Sequence, residues 1–174
     1  MTMKMTLLDS SLARAFLGQY KRLLGDVAAK PMKSINDYNE ARNLLYQDGL
    51  NKVYLFDSSY EESLVLAVRR AIHGMFIHAK KYKEGYALKA SDNAWLCVKA
   101  LTTPLEEIIP DWVVIDTAVL PYGGFLICDG LVVNRHTYIG PNMIKSMTQE
   151  LKAERKKWSS NNTFHRIANK SGAR

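Results

Sequence analysis

Cysteine is almost absent from this sequence: Cys97 and Cys128 are the only two in 174 residues, each inside an apolar strand-like run. That excludes a disulfide framework and a four-cysteine zinc site, and points to two buried thiols in a reducing compartment. Long apolar runs are missing too. The longest nearly apolar run, 118–128, is interrupted by Pro121, Gly123 and Gly124 and falls short of the roughly 18 residues a membrane helix needs. Asp9 cuts the amino-terminal run MTMKMTLLDSS below signal-peptide length. The expectation is a cytoplasmic protein without membrane contact. No strand-loop-helix context surrounds Gly123, Gly124 or Gly130, so neither a dinucleotide fingerprint nor a lysine-bearing P-loop is present. The four histidines, His73, His78, His136 and His165, lack metal-ligand spacing; His73 and His78, read on a helix, are five apart and point to different faces. Neither a metal nor another cofactor is expected.

What is present suits one globular domain. The chain is 47% hydrophobic, and at this length roughly 70% of the unfolded surface becomes buried. The formal net charge of +7 is unevenly placed. Residues 1–144 carry 16 Lys+Arg against 15 Asp+Glu, whereas residues 145–174 carry 8 against 2. Any general attraction to phosphate therefore belongs to the last helix and tail.

Apolar spacing predicts a helix over Leu7 to Val27, capped by Ser10 or Ser11, and a second from Ser34 with the stripe Ile35, Tyr38, Ala41, Leu45. Lys52 to Phe56 is a short extended candidate. Ser59 and Glu62 form a capping-box pattern that opens a third helix, carried to about Lys81, with a break at Gly74 and a strand from Met75 as the alternative. Arg69, Arg70, Lys80, Lys81 and Lys83 then form its solvated face. Tyr86 to Ala90 and Ala94 to Leu101 read as a hairpin across Ser91-Asp92-Asn93. Thr103-Pro104-Leu105-Glu106 starts a brief helix that Pro110 ends.

Trp112 to Gly140 reads as a β-meander. Its turns are Leu120 to Gly124 and Asp129-Gly130, the latter a type I′ signal between Phe125–Cys128 and Leu131–Val133. Gly140-Pro141 opens a final helix with Ile144, Met147, Leu151 and Trp158 on one face. The body is thus 1–158, followed by a polar basic tail, 159–174, expected to fray.

Three residues are catalytic candidates. Asp116 lies between apolar neighbours on the face shared by Trp112, Val114, Ala118 and Leu120, and would need a partner if that face were covered. Asp129 ends a strand, where its ordinary role is the first residue of a turn. His136 could serve either aspartate as a base, or pair with Cys128 across the last hairpin. The basic end offers a different chemistry. Lys152, Arg155, Lys156, Lys157 and Trp158, followed by Phe164, His165, Arg166 and Lys170, mix cations able to neutralise phosphates with rings able to stack on bases.

From Ala94 onward, AWLCVKAL, TPLEEI, VVIDTAVLPYGG, FLICDGLVV and a glycine-proline step into a basic helix occur in an order that resembles an uncharacterised conserved bacterial domain. That domain carries a short PLEE helix before an LP turn and a DG hairpin. Here Tyr122 stands in its phenylalanine place and Cys128 in its aromatic place. The resemblance covers the carboxyl-terminal half, supports the fold and implies no activity or catalytic residues.

These readings converge on an α+β domain: amino-terminal helices packed on an antiparallel meander sheet of about five strands, closed by a carboxyl-terminal helix. The expected function is a non-enzymatic binding module that meets a nucleic-acid or protein partner through the carboxyl-terminal helix and tail. The alternative is a small hydrolase using Asp116 or Asp129 with His136. An exposed face bearing Trp112 or Tyr138 would suggest self-association.

Overall fold

A computed structural model of the chain describes residues 6–48 and 59–158. The extended candidate at Lys52 to Phe56 and the tail, including Arg166 and Lys170, lie outside the described residues. The elements run α1 (Ser10–Ala28), α2 (Ile35–Asp48), α3 (Glu62–Arg69), β1 (Ile72–Lys81), β2 (Tyr86–Ala90), β3 (Trp95–Val98), a 3-10 turn (Leu105–Glu107), β4 (Val113–Tyr122), β5 (Phe125–Cys128), β6 (Val133–Tyr138) and α4 (Pro141–Trp158). This is the α+β arrangement expected, with four helices around an antiparallel sheet.

Helix starts differ in detail from the sequence reading. Asp9, not Ser10 or Ser11, caps α1: its carboxylate accepts from the Ser11 and Leu12 amides at 2.9 and 3.3 Å. Ser34 does cap α2, reciprocally with Asp37, whose carboxylate accepts from the Ser34 amide at 2.9 Å while the Ser34 hydroxyl accepts from the Asp37 amide at 3.3 Å. The capping box at Ser59 and Glu62 does not form. Glu61 occupies the cap of α3, and the Ser59 hydroxyl instead accepts from Arg22 at 2.7 Å.

The third helix is the largest departure from the leading reading; the structure sides with the alternative of a strand through Met75, but the break comes before Ile72 rather than at Gly74. The helix ends at Arg69, and Ile72 to Lys81 is the central strand β1. Ile72, Phe76 and Ile77 favour a pleated strand, and β1 satisfies its backbone on both sides, against β2 and against β4 from Ile72↔Val119 to His78↔Val113. Gly74 has φ +149°, a backbone that side-chain-bearing residues rarely adopt. Lys80 and Lys81 accordingly belong to a strand rather than a helix face, and Lys81 pairs with Glu106 at 2.6 Å.

The sheet order is β3-β2-β1-β4-β5, with β6 paired to the first half of β4. The expected β2–β3 hairpin is present, turning at Asn93 with φ +67°. So is the β4–β5 hairpin, but its turn is Gly123-Gly124, both at positive φ as a type I′ turn requires; Pro121 lies within β4. The Asp129-Gly130 hairpin is absent, because β6 pairs with β4 and not with β5. After β5 the ladder is interrupted at residues 129–132, and the chain then continues in the same direction along the same edge of β4 as β6.

Strands β3 and β5, the two ends of the order, meet. The Lys99 amide donates to the Leu126 carbonyl at 2.9 Å and the Cys128 amide to the Lys99 carbonyl at 3.0 Å, a short parallel bridge. The sheet is therefore a small barrel, filled by inward residues such as Phe76, Tyr86, Leu88, Val98, Ile115, Val119 and Leu126. Outside it, α1, α2 and α3 pack on the outward residues Ala118, Leu120, Tyr122 and Ile127. The last helix lays Met147, Leu151 and Trp158 over Ala79, Ala87 and Trp95.

Candidate functional site

The two aspartates singled out in the sequence share one arginine. Arg42, on α2 and only 1% exposed, sends one guanidinium nitrogen to the Leu131 carbonyl and to within 3.5 Å of Asp129 Oδ1, and the other to Asp116 Oδ1 at 3.4 Å. Asp129 is fully buried. Besides Arg42 it accepts from the Leu131 amide at 3.0 Å, the Thr117 hydroxyl at 3.2 Å and the Tyr20 hydroxyl at 2.9 Å. Burial pushes its carboxyl above the usual range, while Arg42 and these donors act in the opposite direction. Tyr20 in turn meets the Tyr46 hydroxyl at 3.1 Å, and burial lifts both phenols well above their ordinary value. Asp129 is thus neither the turn residue expected nor an open carboxylate; it ties α1, α2, β4 and the segment after β5 together.

Asp116 reaches the surface more nearly, with 24% of its side chain exposed. Its histidine neighbour is His73 of β1, whose Nε2 lies 3.3 Å from Asp116 Oδ1 and whose ring stacks on Tyr46 at 5.2 Å. Burial and then Arg42 lower the His73 pKa, while Asp116 opposes them. His136 is elsewhere. It is exposed, at φ +53°, in a bulge where Val114 of β4 faces Arg135, His136 and Thr137 of β6. Among the described residues it contacts neither aspartate nor Cys128. The Cys128 thiol lies 3.0 Å from the Thr117 hydroxyl, and burial pushes it up to about 11, far from the lowered value of a reactive thiolate.

His73 is therefore the residue that sequence reasoning missed. Its pairing with Asp116 follows from the strand register, in which Met75 stands opposite Asp116, and a helical reading of β1 hides that. His78 faces the barrel interior, its Nδ1 2.9 Å from the Pro110 carbonyl. Two residues separated by five do point oppositely, but because they lie on a strand. No group of three or more metal-ligating side chains is assembled among the described residues.

The basic helix α4 sorts its residues onto two faces. Trp158 turns inward, 8% exposed, edge-on to Tyr82 at 6.2 Å, so it is unavailable for stacking on a base. Arg155 is half-buried, its guanidinium 3.8 Å above the Tyr82 ring and 3.6 Å from Glu84. Glu150 fastens the middle of the helix, accepting from the nearly buried Lys89 at 2.7 Å and from the Trp95 indole at 3.4 Å. Lys157 pairs with Glu154 at 2.9 Å. Lys145, Lys152 and Lys156 stand on the exposed side.

No helix among the described residues is long and apolar enough to cross a membrane. No family model matches the chain, and no curated protein or solved structure matches it. The resemblance drawn from the PLEE and LP-turn motifs consequently brings no residue roles, and its hairpin at Asp129-Gly130 does not exist in this fold.

Proposed function

We propose that this chain is a non-enzymatic binding module that engages a nucleic acid through the outer face of α4. The supporting observation is the lysine row on that helix. Lys145, Lys152 and Lys156, with Gln149 between the first two, fall at intervals of seven and four residues and are all exposed. Such spacing keeps them on one face over about 16 Å. The opposite face is held by Met147, Leu151 and Trp158 and by the Glu150–Lys89 pair, so the row is presented by a fixed helix. Preorganised cations lose less entropy on meeting phosphates than cations on a mobile segment. Arg166 and Lys170 extend the same positive charge along the chain.

The hydrolase reading, with Asp116 or Asp129 and His136, lacks comparable support. Asp129 already accepts from several donors, and His136 stands apart from both aspartates. The test is fluorescence anisotropy of labelled single- and double-stranded oligonucleotides across a salt series, on the intact chain and on K145Q/K152Q/K156Q. Three lost phosphate contacts should reduce the slope of log K against log salt by about 2 to 3. No binding at low salt, or a triple variant with unchanged slope, would overturn the reading. The tail is tested by truncation after Trp158 rather than before it, since Trp158 belongs to the core.

A further inference from the structure

A cavity of about 460 Å³ opens on the helical side of the barrel, between α1, the start of α2, the segment following β3 and the segment following β5. Its volume falls within the roughly 300–1,000 Å³ of small-molecule sites. Its body is apolar: Leu17, Met32, Ile35, Leu101, Ile108 and Val132 line it. Two of these lie open to water, Ile35 at 62% and Ile108 at 45% exposure, and carry the apolar lining out to the surface.

The exposed charged residues lining the cavity are of one sign, and the one carboxylate in its lining, Asp129, is buried. Lys21 and Lys33 line it and are exposed. The carboxylates nearby are committed elsewhere: Asp129 is sealed beneath the floor by Tyr20, Thr117 and Arg42, and Asp37 holds Lys30 at 2.9 Å and the amides opening α2. Thr102 and Thr103 add hydroxyls on the exposed side. An apolar chamber with cations and hydroxyls at its open side complements a molecule with an apolar chain and an anionic head.

From this complementarity we infer that the cavity binds an amphiphilic organic anion of the medium-chain carboxylate class, its chain against Leu17, Met32 and Leu101 and its head at Lys21 and Lys33. The site is separate from the lysine row of α4, which packs over other strands, so either reading can fail without the other.

The test is isothermal titration calorimetry of the full chain with octanoate, decanoate and dodecanoate below their micellar concentrations, beside decanol and dodecyltrimethylammonium. Affinity should rise about fourfold per added CH₂ while the chain still fits. The K21Q/K33Q variant should weaken decanoate about fivefold and leave decanol unchanged. Thr102→Trp, which adds bulk to the lining from an exposed position, should abolish binding while circular dichroism stays native. The inference is overturned if no carboxylate binds, if affinity ignores chain length, if the cationic amphiphile binds as well as the anionic one, or if Thr102→Trp binds normally.

Discussion

Arg42 is the residue whose loss should matter most. A guanidinium that is 1% exposed is tolerable only because Asp129, Asp116 and the Leu131 carbonyl surround it. Asp129→Ala would leave that buried cation with only the partly exposed Asp116 carboxylate as counter-charge, and should cost about 3–5 kcal/mol. Thr117→Val removes one neutral donor to the same carboxylate and should cost about 1 kcal/mol. Urea unfolding measures both, and equal effects would mean the cluster is not organised by its charges. His78 sets a second expectation. Burial lowers its pKa in the fold below the ordinary 6.5, so at acid pH the unfolded chain binds more protons than the folded one. Stability is then complete above about pH 6.5 and declines as pH falls towards the depressed value. His78→Gln should flatten the change in urea midpoint between pH 7.5 and 5. The Asp129 carboxyl, raised by burial and so contributing with the opposite sign, and His73, lowered and contributing with the same sign, are common to both proteins and drop out of the comparison. A midpoint that changes equally in both would remove His78 as the cause.

At the scale of elements, legibility followed from how local the deciding interaction is. The helices α1, α2 and α4, the β2–β3 hairpin and the β4–β5 hairpin were readable because apolar period and turn residues decide them within a few positions. The end of α3 was not. Leu64, Ala67, Val68, Ala71, Ile72, Met75 and Phe76 satisfy a helical stripe, and what makes Ile72 to Lys81 a strand is pairing with β4, some forty residues later. Asp129-Gly130 failed for the same reason, since the carboxylate that turn statistics assign to a hairpin is held by Tyr20 and Arg42 from far earlier in the chain. Asp116 was legible as a group needing a partner; which partner was not. Two glycines separate local backbone from packing. A Cβ would meet nothing within 4 Å at either Gly18 or Gly74, so only backbone conformation distinguishes them. Gly18→Ala, inside α1, should stabilise by about 0.5–1 kcal/mol. Gly74→Ala, at φ +149°, should destabilise by about 1–3 kcal/mol. Thermal or urea unfolding of the pair reads the signs directly, and a stabilising Gly74→Ala would argue that the helix continues through this position.

For the whole molecule, the parity of the sheet explains its shape. Five strands alternating in direction, taken in the order β3-β2-β1-β4-β5, leave the first and last parallel, so closure must use a parallel pair. That pair is short, limited to the bonds around Lys99, and no hairpin signal announces it, which is why the sequence reads as an open meander. Closure has an energetic reason: it removes two unpaired edges and lets the inward faces of all five strands share one core. The row around Lys99 is then the weakest seam of the barrel, yet it joins strands that unfold only together. Hydrogen exchange distinguishes the possibilities. In a closed barrel, the Lys99 and Cys128 amides, which donate across the seam at 2.9 and 3.0 Å, should exchange only through openings close to global unfolding. The Gly124 amide, in an exposed turn, provides the fast reference. Lys99→Pro deletes one seam donor and should speed exchange at Cys128 through local opening of the seam while leaving the β1–β4 amides slow, because β1 and β4 are central strands paired on both sides. Exchange at Lys99 and Cys128 as fast as at Gly124 in the unaltered chain would mean that β3 and β5 are free edges and that the sheet is open.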